Sequence, residues 1–305
     1  MSNLSIILVP IFLLISFGYI LKQLQFLELD VWNGFEKLVY FVCFPALLIH
    51  KLSSTSINSG SLVALSLTLI ATIALVTISL IILSPLWKAD TKAFTSVFQG
   101  GLRFNSYIGL AIVAIWSPDT GVALAAIAMI SMIPLLNVLC VLVLKFYASH
   151  TPVCWRDVGK TLLQNPLIIG CVIGIGLNIL QLKLPQELQQ SFQLLGQATL
   201  PLGLLAVGAG LELHHFRRSF FNIVIASSIK LVIFPLIVFS IHLLFQLECH
   251  IYQIALLFSA LPTATSSYIL AKQMGGDAEL MANIISVQII LSLFSLPWIL
   301  WLATC

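Results

Sequence analysis

Charge is what this sequence has least of. Only 8% of its 305 residues are Asp, Glu, Lys or Arg, against roughly 25% in an ordinary soluble domain. No Asp or Glu occupies the centre of any long apolar run: Glu212 ends one beside His214 and His215, and Asp119, Glu187 and Glu248 sit in polar gaps. That scarcity argues against a proton relay through a mid-membrane carboxylate and leaves open sodium held by amide, hydroxyl and backbone oxygens. A Walker loop, a His-Glu-x-x-His pair and a membrane-embedded Ser-His or Asp pair are also missing, so the chain shows no means of hydrolysing ATP or a peptide bond. It reads as a non-enzyme without cofactor or metal. The net charge of +3 comes from loops and forms no patch suited to nucleic acid. The six cysteines, Cys43, Cys140, Cys154, Cys171, Cys249 and Cys305, are scattered singly and read as small polarisable core residues rather than a disulfide framework or metal site.

What is present is apolar. Hydrophobic residues make up 60% of the chain, mean hydropathy is +1.08, and the apolar runs reach the roughly 20 residues with which an α-helix crosses a bilayer. Alternating β-barrel segments are absent. The fold class is therefore an all-α integral membrane protein. The first run, Leu4 to Leu24, lacks basic residues ahead of it and a small-residue cleavage site, so it reads as a retained helix rather than a signal peptide. Polar punctuation gives about ten spans: 4–24, 32–52, 61–84, 93–116, 120–147, 166–182, 190–211, 219–246, 250–273 and 279–302. The widest polar gap divides them into a first five-helix repeat (1–148), a cytoplasmic linker (149–165) and a second repeat (166–305).

Orientation follows from the basic residues. With both termini outside, the cytoplasmic ends receive Lys22, Lys37, Lys88, Lys92, Lys145, Arg156, Lys160, Arg217, Arg218 and Lys272, and the outer side only Lys51 and Lys183. Short loops and the uncleaved first helix fit a bacterial inner membrane with N-terminus and C-terminus in the periplasm. Five helices per half means that homologous halves insert in opposite orientations. "FNSYIGLAI" at 104–112 lines up with "SSYILAK" at 266–272, and Pro45 echoes Pro201. The fourth and ninth spans carry their breakers mid-span: Gly100 and Gly101 in one, Pro262 in the other. Broken helices at matching positions point to a midplane binding site.

At these residues the chain resembles the auxin efflux carrier family, bacterial permease type, of the bile/arsenite/riboflavin transporter superfamily. The resemblance rests on "RFNSYIGL" and on "SALPTATSSYILAKQMGGDAELMANIISVQIILSLFSLPWIL" in the last two spans. It implies two inverted five-helix repeats, with helices 1, 2, 6 and 7 as scaffold and helices 3–5 and 8–10 as a moving bundle in which helices 4 and 9 cross at unwound centres. It also implies organic-anion cargo such as malate or malonate, an elevator-like motion and a homodimer through the scaffold. Plant members have proline before the crossover asparagine, where this chain has Phe104 before Asn105. The fourth helix must then break through its glycines or less sharply, and plant auxin specificity does not carry over.

Arg103 leads the candidates, because a guanidinium at mid-membrane costs about 2.5–3.5 kcal/mol even on the lenient insertion scale. It either attracts a substrate carboxylate through charge-assisted bonds, or bonds freed backbone carbonyls, or snorkels. Asn105 matches the crossover asparagine of the family and can donate to a carboxylate or tie helices together. Pro262, Thr263, Thr265 and Ser266 surround the second break and offer hydroxyls and unwound backbone, with Pro262 as a plain kink the alternative. Tyr107 either packs or bonds substrate. Asn137 and Gln288 either reach substrate or join helices. Lys230, mid-span, could compensate charge, stand in a coupling ion's place, or be neutral. Gly170, Gly174 and Gly176 form a small-residue face for close helix packing or a dimer seam.

A potential of 100 mV, inside negative, favours outward movement of a monoanion by about 2.3 kcal/mol, so export can run uncoupled. The expected function is a secondary carrier of small carboxylates in the lipid bilayer. The alternatives are a sodium-coupled symporter of the bile-acid type and a non-transporting membrane sensor or scaffold, which would need an output domain that such short loops do not supply.

Overall fold

In a computed structural model, residues 2–54, 59–87, 90–117, 121–149, 159, 163–212 and 219–304 are described. Among them stand fourteen α-helices. These are α1 (Ser2–Gln23), α2 (Leu29–Leu38), α3 (Phe44–Ser54), α4 (Ser59–Leu83), α5 (Thr91–Leu102), α6 (Ser106–Trp116) and α7 (Gly121–Leu144). They are followed by α8 (Pro166–Ile179), α9 (Gln186–Ala209), α10 (Phe220–Ser228), α11 (Phe234–Phe245), α12 (Cys249–Ala260), α13 (Ser266–Gln273) and α14 (Ala278–Leu302). Among the described residues the protein is all-helical, and five of its helical stretches are long and apolar enough to cross a bilayer, Val63–Leu83, Gly121–Ala148, Gln186–Ala209, Phe220–Phe245 and Ala278–Leu302, as in a membrane protein. Most of the expected linker 149–165, together with Lys88, Asp119, Cys154, Arg156, Lys160, His214, His215, Arg217, Arg218 and Cys305, lies outside the described residues.

Proline explains why several apolar runs are pieced rather than continuous. Val39–Cys43 and Ile229–Ile233 are π-turns, each ending two residues before a proline, Pro45 and Pro235. A proline ring clashes with the preceding turn and offers no N–H, and widening that turn accommodates both defects. The widened geometry is visible in Phe44 N–H bonding Val39 O and Phe234 N–H bonding Ile229 O. Where the chain re-enters a helix from a polar turn, side chains cap it. Asp90 accepts from Ala93 N and Asp277 from Leu280 N, both at 2.9 Å.

The helices pack as two groups. In one, α1 lies along α9, and α3 along α8 and α9. In the other, α4 packs on α7 and α12, α5 on α10, and α14 on α10 and α12. Glycine makes the first group's close approach feasible. A Cβ on Gly18 would strike the backbone of Leu205, and one on Gly208 the backbone of Ile15. A Cβ on Gly170 would lie 2.9 Å from Pro45 Cα, and one on Gly174 3.1 Å from Leu48 O. The small-residue face of α8 is thus taken up within the chain, except at Gly176, where nothing lies within 4 Å. Large apolar side chains such as Leu67, Ile82, Val172, Leu244 and Trp298 point outward as a lipid-facing surface should.

Cys43, Cys140 and Cys171 are buried free thiols. Cys249 departs from expectation because it is disulfide-bonded. It opens α12 beside exposed Glu248 and His250 rather than lying inside an apolar run, so a partner can reach it.

Gly208→Val should cost about 1–3 kcal/mol or more through overpacking of α1 on α9, whereas Gly176→Ala should stay within about 0.5 kcal/mol. Thermal unfolding of the two variants in detergent checks this.

Candidate functional site

The fourth and ninth expected spans are each interrupted, and the interruptions meet. α5 stops at Leu102, Arg103 is extended (φ −69°, ψ 156°), Asn105 is extended (φ −87°, ψ 106°), and α6 starts at Ser106. α12 stops at Ala260, and Leu261 is extended (φ −64°, ψ 141°), the conformation a following proline favours. Asn105 N–H then donates to Pro262 O at 2.8 Å, a backbone bond between the two breaks.

Polar groups freed at the breaks find partners both locally and in other elements. Asn105 Oδ1 accepts from Tyr107 N and Ile108 N, both at 3.1 Å, capping α6. The Gly100 carbonyl, whose helical donor is lost when α5 ends, accepts from Gln288 Nε2 at 2.9 Å. Gln288 Oε1 in turn accepts from Thr263 N–H at 2.9 Å. The Thr263 hydroxyl, with one proton to give, lies 2.8 Å from Gly100 O and 2.7 Å from Gln288 Oε1. Gln288 on α14 is therefore a clamp on both interruptions.

Beside this crossing opens a cavity of about 590 Å³. Arg103, Phe104 and Ser106 line it from the first break, Ala264 and Ser266 from the second, Ile133, Leu136 and Asn137 from α7, and Asn165 from the head of α8. Arg103 is half-buried, and its Nη2 donates to Ser266 Oγ at 3.1 Å. The Cys140 thiol is in hydrogen-bonding contact with the guanidinium. A further wall comes from α2 and the turn after it: Asn33, Glu36, Lys37, Tyr40 and Phe41. Glu36 Oε1 accepts from Thr265 Oγ1 at 3.4 Å. Thr265 thus turns its hydroxyl to Glu36 and makes no side-chain cap on α13, whose N-terminus faces the cavity through Ala264 and Ser266.

The structure sorts the candidates. Arg103, Asn137 and Ser266 line the cavity, and Thr265 touches it through Glu36. Thr263 and Gln288 do not reach it: both are fully enclosed and bond each other and Gly100, so they hold the crossing in shape. Pro262 is buried and contributes its carbonyl to Asn105, and Asn105 is buried with its Oδ1 committed to α6. Tyr107 turns away, its ring 5.3 Å from that of Phe44 and against Gly203. Lys230 is fully buried on a π-turn, Nζ 4.2 Å above the Phe234 ring, and does not line the cavity. Gly100 and Gly101 are not the break. They lie inside α5, where a Cβ would come 2.7 Å from Ile284 Cγ2 and 3.0 Å from Ile229 Cγ2; they serve packing, and the interruption falls at Arg103–Asn105.

A model of the family described as "Membrane transport protein" matches residues 148–300, half of the chain. The chain belongs to that family, the auxin efflux carriers. It is also similar to a Rhizobium meliloti (strain 1021) protein named "Putative malonate transporter", with 22% identity over 318 residues covering 99% of this chain and 96% of that one.

Within this carrier, Glu36, Lys37, Tyr40 and Asn165 are the cavity residues that reasoning on breaks alone passes over. A signal existed: Asn33, Glu36, Lys37 and Tyr40 recur at i, i+3, i+4 and i+7, one polar face of a helix. Glu36 also qualifies the expectation drawn from carboxylate-free span centres, since it reaches the cavity from the end of a span.

Gln288→Leu leaves Thr263 N–H short of a partner, at about 1–3 kcal/mol, while the Gly100 carbonyl keeps the Thr263 hydroxyl. The variant should insert yet melt at clearly lower temperature, as followed by intrinsic fluorescence; an unchanged melting point contradicts the clamp.

Proposed function

We propose that this family member is a secondary carrier of small organic anions, carboxylates such as malate or malonate, working by elevator-like alternating access. One observation carries the reading. The guanidinium of Arg103 lines a cavity at the crossing of two broken helices, its partners among the described residues being the neutral Ser266 hydroxyl and Cys140 thiol, with no carboxylate bonded to it. A half-buried cation without a counter-charge is costly, and a carboxylate supplies that charge with bidentate geometry. The uncapped N-terminus of α13 adds partial positive charge in the same place. The name of the Rhizobium meliloti relative agrees in substrate class.

The two helix groups support the mechanical part. In the ten-span, inverted-repeat reading, α1, α2–α3, α8 and α9 are helices 1, 2, 6 and 7 of the scaffold, and the rest form the moving bundle of helices 3–5 and 8–10. The cavity lies between the two, as an elevator requires. Orientation with both termini periplasmic gains support from the disulfide at Cys249, since such bonds persist in oxidising compartments and the turn ahead of α12 falls on the outer side in that orientation. The cavity residues of α2, α7 and α13 then belong to the cytoplasmic half, which fits an inward-facing state. In a bacterial inner membrane the potential favours exit of anions by about 2.3 kcal/mol per charge at 100 mV. Scaffold-mediated dimerisation remains part of this proposal.

A thermal-shift panel tests the assignment. Malonate or malate at 100 times Kd should stabilise the wild type by about 2.7 kcal/mol, equally in sodium and potassium salts, and Arg103→Ala should lose the effect. Stabilisation by amines or sugars and by no carboxylate would contradict it, and stabilisation seen only with sodium would favour the bile-acid symporter type.

A further inference from the structure

A carboxylate in a cavity that binds carboxylates is a contradiction unless it has a task. Glu36 meets Thr265 Oγ1 at 3.4 Å, and Arg103 meets Ser266 Oγ at 3.1 Å. Thr265 and Ser266 are consecutive, with Cα atoms about 3.8 Å apart, so acid and guanidinium reach the second break at neighbouring residues, and both line the same cavity. Each nevertheless meets neutral partners, Arg103 the Ser266 hydroxyl and the Cys140 thiol, Glu36 the Thr265 hydroxyl. The two are placed to address opposite ends of one small molecule.

Charge counting narrows what that molecule is. With Glu36 ionised, Arg103 and Lys37 leave the cavity walls one positive charge in excess; with Glu36 protonated, two. A monocarboxylate on Arg103 suits the first condition. A dicarboxylate on Arg103 brings its second carboxyl group toward Glu36, and two ionised carboxylates at close range in a confined apolar site repel strongly. One proton between them turns the repulsion into a short O–H···O⁻ hydrogen bond.

Resting on the reading of this cavity as a carboxylate site, we infer that the protein takes up a dicarboxylate together with one proton, held between the substrate's second carboxyl group and Glu36. The proton comes from solvent and no covalent bond changes. The charged and titratable groups around Glu36 are Lys37, Tyr40 and Cys43 on its own segment, Arg103 from the first break and Tyr107 from α6. The α9 helix packs on α2 but carries no charged residue between Leu188 and Ala209, and Glu212 beyond it is exposed. None of these supplies a second acid to take the proton in place of Glu36. Because α2 belongs to the scaffold in the proposed division, the inference concerns binding from this face and not a proton fixed to the moving bundle.

Titration calorimetry of the purified full-length protein tests this, with malonate and propionate injected in buffers of differing ionisation enthalpy between pH 6.5 and 8. Wild type should take up about one proton per malonate and none per propionate, and malonate affinity should fall about tenfold per pH unit above the titration of the pair. Glu36→Gln, whose amide can donate to a dianion unaided, should show proton uptake near zero and a flat pH dependence. Malonate binding to wild type without proton uptake overturns the inference while leaving the carboxylate site standing, and so does proton uptake undiminished in Glu36→Gln. Failure of wild type to bind either acid at any pH overturns both. The wild-type proton count decides the matter even where the variant does not fold.

Discussion

A backbone amide or carbonyl inside a bilayer has no water to fall back on, and this constraint organises the protein. Interrupting two helices at mid-chain frees several such groups, each costly to leave bare. They are satisfied across the molecule: Asn105 N–H by the Pro262 carbonyl, and the Gly100 carbonyl and Thr263 N–H by the single amide of Gln288. The crossing is stable because each interruption supplies what the other lacks. Neither break would stand alone, so sequence changes in α14, which touches no expected substrate, bear directly on the site.

Once the crossing exists, a cation becomes tolerable there. Arg103 follows the last turn of α5 and lines the cavity, held by the neutral Ser266 hydroxyl and Cys140 thiol and by no carboxylate among the described residues. The site gains its positive character from that side chain, from Lys37 and from the open start of α13, while Glu36 tempers it. Polar groups that were candidates for substrate contact, Thr263, Gln288 and Asn105, act one step further back by fixing the geometry that presents Arg103.

Parts of this were legible in the residues and parts were not, for definable reasons. Pro262 marks its break because a ring without N–H has few other meanings inside an apolar run. Gly100 and Gly101 mislead because glycine signals equally a loosened backbone and a close neighbour, and here the neighbours are Ile284 and Ile229. Arg103 stands out by its cost in hydrocarbon. Gln288 could not be assigned to the break, since its partner Gly100 is 188 residues away and only the packed fold joins them. The polar face Asn33, Glu36, Lys37 and Tyr40 was readable as a helical pattern, but its charged members look like an ordinary cytoplasmic helix end until the cavity is seen beside it. Cys249 behaved as its exposed flanks, rather than its type, would suggest.

Where an anion sits relative to the two broken helices decides how this protein works. An experimentally determined structure of the full-length protein in lipid with malonate answers this most directly. It should show a carboxylate on the Arg103 guanidinium in the cavity beside Ser266, with the Asn105–Pro262 bond and the Gln288 clamp intact. Malonate bound away from Arg103, or unbroken helices through residues 103–105 and 261–265, would contradict it.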